Sequence, residues 1–149
     1  MAMKMLDIAN IGVGHQLPAL QLPVIDRTVL ALFAGASGDH NPIHLDLDFA
    51  RRAGMPDVFA QGMLAMAWLG RLLTNWTPQQ QLRRFDVRFQ GIAHLGNALR
   101  CHGRVTERFE EGGETRVRIE LHCENQYGQT KVIGDAVVAL PDPSNRETP

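Results

Sequence analysis

The stretch "VFAQGMLAMAWLGRLL" (58–73) constrains this chain more than any other. From about Ala60 to Thr74 it is apolar on nearly every side, and such a helix must be enclosed rather than laid on a surface. It does not read as a membrane span, because Gln61 and Arg71 interrupt it short of the roughly 20 continuous apolar residues a bilayer requires. The rest of the chain must supply the enclosure. Its 149 residues are enough for one domain with a real core and too few for two comfortable ones.

After "NWTPQQQ" the pattern changes from helical to alternating. In "RRFDVRFQ" (83–90), Phe85, Val87 and Phe89 point one way and Arg84, Asp86, Arg88 and Gln90 the other, which predicts a strand with one buried face. Gly96-Asn97 opens the next strand, and "EEGGE" (110–114) is a hairpin turn. If that hairpin is symmetric about Gly112, Val105 faces Ile119, Gly103 faces Leu121 and Cys101 faces Cys123 on one side. Arg100 then meets Glu124, Arg104 meets Glu120 and His102 meets His122 on the other. Apolar and charged pairs fall into place together, which supports the register. "TKVIGDAVVAL" (130–140) supplies the last strand. Ahead of the helix, Pro18 and Pro23 make 17–25 extended, suited to a sheet edge. Asp26 caps a short helix ending near Gly35 or Gly38. Residues 37–58 are irregular except for a helical turn at "LDFARRAG".

The predicted fold is α+β, an antiparallel sheet wrapped around one long buried helix, with a single domain over 1–140 and a disordered tail over 141–149. One helix covers one sheet face and leaves edges open. A homodimer, joining edge strands or burying the helices together, is therefore expected.

Composition narrows the partners. A net charge of −1 removes the basic surplus that general nucleic-acid binding needs. The start "MAMKMLDIAN" carries no apolar segment or cleavage site, so the expected compartment is the cytoplasm. Cys101 and Cys123 lack CxxC spacing and read as reduced core residues.

The densest chemistry is "SGDHNPIHLD" (37–46), where Asp39, His40, Asn41 and His44 surround Pro42. A metal would want more ligands: Pro42 interrupts the i, i+4 helix that would align His40 with His44, and no HExxH glutamate is present. The expectation is no metal. Two readings remain open. Asp39 and His44 can converge across the Asn-Pro turn and exchange protons through a shared water, or Asp39 and Asn41 can simply cap the turn. Gly62 opens the long helix, where N–H groups lack partners. A glycine there permits either close packing or close approach of an acyl oxygen.

"FAGASGDHNPIHLDLDFA" (33–50) resembles the signature of the MaoC-like (R)-specific enoyl-thioester hydratases and 3-hydroxyacyl-thioester dehydratases, a hot-dog-fold family. Phe33, Ser37, Gly38, Asp39, Asn41, Pro42, Ile43, His44 and Ala50 match its pattern. "GMPDVFAQGML" (54–64) is similar to a second family motif at the start of the central helix, with Gln61 where the family commonly has histidine. The resemblance implies that Asp39 and His44 hold a water and add it across the 2,3 double bond of an enoyl thioester. It implies that the backbone N–H of Gly62 polarises the thioester carbonyl, and that Ser37, Asn41 and Gln61 support the site. It implies no metal or redox cofactor, with a coenzyme A or acyl carrier protein thioester as substrate. The acyl chain is expected along the helix near Met63, Met66 and Trp68. Arg83, Arg84 and Arg88 form either a solvated strand face or a contact for a phosphopantetheine-bearing partner. A hot-dog thioesterase and a non-catalytic subunit of a heteromeric dehydratase are the alternatives.

Overall fold

Local chemistry sets most of the boundaries in the computed structural model, which describes residues 10–142. The prolines keep 17–25 extended, and Leu20–Val24 forms strand β1. Asp26 then opens helix α1, Arg27–Ser37, its side chain accepting from the N–H of Val29 at 2.9 Å. Gly38 ends α1 at φ +78°, a conformation that favours glycine. A 3₁₀ turn follows over Pro42–His44, with proline at its first turn, where a missing N–H costs nothing. Helix α2 is Leu47–Arg52, capped by Asp46.

The long helix, α3, spans Gly62–Trp76. It begins and ends two residues beyond the expected 60–74. Gln61 takes the N-cap position, and the helix runs on because the Trp76 side chain is buried. It stops at Thr77, held extended by the proline that follows.

Four strands come after: β2, Leu82–Phe89; β3, Ala98–Glu111; β4, Glu114–Glu124; and β5, Thr130–Ala139. With β1 they form one antiparallel sheet in the order β1-β3-β4-β5-β2, so β1 and β2 are its edges. The β3–β4 register is the expected one from Arg100↔Glu124 through Val105↔Ile119. The tip differs in detail. Gly112 and Gly113, both at positive φ, make a two-residue turn between Glu111 and Glu114, and a bulge at Thr106 absorbs the offset.

One face of α3 (Leu64, Leu69, Leu72, Leu73, Trp76) packs on Leu99, Val105, Val117, Ile119, Leu121 and Val138 of the sheet. Each fully buried leucine contributes roughly 2 kcal/mol by removing apolar surface from water. Cys101 and Cys123 face each other in this core as free thiols. The neighbouring Cys123 sulfur and burial both push the Cys101 thiol up. The opposite face of α3 is not covered by its own chain: Met63 is 52% exposed and Ala67 is open. The face expected to be buried on β2 is open in the same place, with Phe85 and Val87 half-buried and Phe89 50% exposed. Among the described residues no helix is long and apolar enough to cross a membrane. The tail expected over 141–149 lies outside the described residues beyond Asp142.

Candidate active site

The turn between α1 and the 3₁₀ segment is tied to its own backbone at each step. Ser37 Oγ donates to the Phe33 carbonyl at 2.7 Å and accepts from the N–H of Asp39 at 3.1 Å. Asp39 Oδ1 accepts from the N–H of Asn41 at 3.3 Å, and Asn41 Oδ1 from the N–H of Ile43 at 3.1 Å. The capping expected of these residues is therefore present. It does not compete with a role in chemistry, because it uses one carboxylate oxygen and leaves the other. Oδ2 of Asp39 stands 3.9 Å from Nε2 of His44.

The buried His44 ring is held from behind. Nδ1 lies 2.7 Å from the carbonyl oxygen of Phe59, and the Phe59 ring meets the imidazole edge-on with centroids 5.0 Å apart. A carbonyl only accepts, so Nδ1 carries the hydrogen, and in the neutral ring Nε2 is the free base facing Asp39. At 3.9 Å the two groups are too far apart for a direct hydrogen bond, yet both can reach one water between them. Sequence reasoning missed Phe59. The contact uses its main-chain oxygen, which no side-chain pattern reveals.

Two clefts flank α3. Asp39 and Ser37 line the first together with Phe33, Met63, Met66 and Phe85, a mostly apolar trough of about 380 Å³. The two methionines expected along an acyl chain are thus beside Asp39, whereas Trp68 packs against the core. The second cleft, about 340 Å³, is lined by Phe59, Gln61, Gly62, Phe89, Ile92 and Lys131. Gly62 is the first residue of α3, and a Cβ there would touch the Phe89 ring at 3.4 Å. Gln61 is buried, with its amide nitrogen donating to the Leu30 carbonyl at 3.1 Å and its Oε1 left without a partner. That geometry ties α3 to α1.

The remaining candidates lie apart from the clefts beside α3. His40 is exposed, and its N–H donates to the Gly38 carbonyl. His102 and His122 stack on the outer sheet face at 5.3 Å, and Glu120, accepting from His122, is held below the usual carboxylate range. Arg83 pairs with Glu114 and Arg84 with Asp86, so these strand-face arginines have carboxylate partners. Among the described residues no cluster of three or more His, Cys, Asp or Glu could hold a metal ion.

A five-stranded antiparallel sheet on a central helix is the architecture of a hot-dog domain. The chain matches R-hydratase PhaJ1 of Pseudomonas aeruginosa with a TM-score of 0.78 and 29% identity, over 91% of this chain and 85% of that one. It matches the (R)-hydratase of A. caviae involved in PHA biosynthesis with a TM-score of 0.77 and 26% identity, over 89% and 98%. The MaoC-like domain model matches residues 15–126, and the chain belongs to the MaoC-like dehydratase family. Among curated relatives, the fatty acid synthase beta subunit TOXC of Cochliobolus carbonum is 28% identical over 71% of this chain. The chain spans only 5% of that protein's length.

Proposed function

We propose that this protein catalyses the reversible (R)-specific hydration of 2-enoyl thioesters to 3-hydroxyacyl thioesters. The observation that carries the reading is the approach of His44 Nε2 to Asp39 Oδ2 at 3.9 Å, with Asp39 lining an apolar trough. A water between the two groups loses a proton to one of them as its oxygen bonds to C3. That same proton, now held by the pair, is delivered to C2 from the same side, which completes a syn addition. Charge builds on the thioester oxygen meanwhile. The N–H of Gly62, at the positive end of α3, is the donor suited to receive it. Ser37 and Asn41 keep the turn in shape without reacting. Met63 and Met66 receive the acyl chain. The chemistry draws on no metal or redox cofactor, and the thioester is carried by coenzyme A or an acyl carrier protein. The open face of α3 and β2 is closed by a second copy of the chain, making a homodimer.

The test is loss of enone absorbance from a short enoyl-coenzyme A, with thiol release followed in parallel. Wild type should consume enone without releasing thiol. Asp39→Asn and His44→Ala should each lose at least about a hundredfold in kcat, the usual contribution of a positioned acid or base, while melting near the wild-type temperature. Thiol release in step with enone loss would make the protein a thioesterase. Near-normal turnover in both variants would remove the pair from the reaction.

A further inference from the structure

The second cleft contains a cation that the hydration chemistry does not use. Cys123 pairs with Val132 and Glu124 with Thr130, so Lys131 is the extra residue of a β-bulge on β5. In a regular strand, neighbouring side chains point to opposite faces. Here Lys131 is 6% exposed and Val132 beside it is 1% exposed, both turned inward. The bulge re-aims the lysine into the fold. Its main-chain oxygen accepts from the N–H groups of Gln90 and Gly91, which anchors the bulge to the segment after β2. Gly91 keeps the space clear, since a Cβ there would lie 3.2 Å from the Thr130 carbonyl oxygen and 3.5 Å from Cδ of Lys131.

A lysine buried this deeply normally has a carboxylate partner. The hydrogen-bond partner of Lys131 is instead the neutral Oε1 of Gln129, at a long 3.4 Å. Gln61 lines the same cleft and leaves a buried acceptor, its own Oε1, without a partner. The rest of the cleft is lined mainly by apolar groups, Phe59, Phe89 and Ile92 among them. One strong donor and one unused acceptor in an apolar cleft match a group that offers both an oxygen and an N–H. That group is an amide. A phosphate would meet only one cation there and would face the Gln61 oxygen with nothing to give it.

We propose that Lys131 and Gln61 recognise an amide of the pantetheine arm that carries the thioester. Lys131 donates to the amide oxygen, and Oε1 of Gln61 accepts from the amide N–H. The site rests on the enoyl-thioester reading and names the part of the substrate that determines affinity beside the Gly62 N–H. Lys131 lies beyond residues 15–126, the range matched by the family model.

The experiment compares crotonyl thioesters of N-acetylcysteamine, which has the amide but no phosphate, of butanethiol, which has neither, and of coenzyme A. Lys131→Met should raise KM about tenfold for the first and third, the worth of one charge-assisted hydrogen bond. It should leave kcat within about threefold and leave the butyl thioester unchanged. Gln61→Leu, which also breaks the bond to the Leu30 carbonyl, should raise KM for the same two thioesters, and Lys131→Arg should recover part of the loss. A KM effect confined to coenzyme A would mean the ammonium meets a phosphate and would overturn the amide site. An unchanged KM for all three, in variants that melt like wild type, would overturn it as well.

Binding of free pantetheine by calorimetry separates this proposal from the reaction. Binding by wild type, weakened about tenfold in Lys131→Met, upholds the site even in a protein that turns over none of the thioesters, in which case only the hydratase reading falls. No binding of pantetheine at millimolar concentration by wild type overturns the site.

Discussion

At the scale of single residues, this chain makes one carboxylate serve two purposes. Asp39 uses Oδ1 to stabilise its own turn and turns Oδ2 toward His44. The turn that looks like ordinary capping is thereby what aims the other oxygen. Glu114 shows the opposite economy, with both oxygens spent on structure. Arg83 and Arg116 hydrogen-bond to it and hold its carboxyl down at about 2, against an ordinary 4.5. A carboxyl whose folded value is depressed contributes stability above its unfolded value and loses it as pH falls toward the folded one. The Glu114 contribution should therefore be complete above about pH 4.5 and fade between there and 2. Urea unfolding of wild type and Glu114→Gln at a series of pH values checks this. The stability gap between them should shrink as the pH falls through that window, and a gap that stays constant would contradict it.

At the scale of elements, the fold depends on how closely β2 can approach β5. Gly134 lies mid-strand, opposite Val87 of β2 and Leu121 of β4. A Cβ on it would fall within contact distance of the Asp86 carbonyl oxygen and 3.1 Å from Cα of Val87. Both are backbone atoms and cannot swing aside. Gly134→Ala should destabilise the protein by about 2 kcal/mol or more, the range for forced overpacking, measurable as a lowered urea midpoint at unchanged slope. The β3–β4 hairpin illustrates what was legible in advance. Its register could be derived because apolar and charged partners align in only one pairing, whereas the Thr106 bulge could not, since it compensates a turn geometry visible only once Gly112 and Gly113 are placed.

At the scale of the molecule, apolar surface is left over. Met63, Phe89 and Ile92 are 52%, 50% and 41% exposed, and β2 is an unpaired sheet edge next to them. Exposed apolar area of this kind beside an open edge marks an association surface. Sedimentation of the wild type at micromolar concentration should give a dimer. Phe89→Glu, which places a charge in that surface, should shift it toward monomer with the hairpin and core intact. A wild type that sediments as a monomer at tens of micromolar would exclude the second copy as the cover.

The sequence by itself determined the helix start at Asp26, the helical turn within 47–54, the long helix, the strand periods, the hairpin register and the Asp39–His44 turn. Each is set by neighbours along the chain, through caps, prolines, side-chain period or pairing within one hairpin. Only the tertiary structure decided that the Phe59 carbonyl holds His44, that the Gln61 amide reaches Leu30, that a bulge turns Lys131 inward, and that one side of α3 stays open. The first three join separate segments through main-chain atoms that every residue shares, and the fourth depends on which elements reach α3, so no local pattern of side chains can encode them.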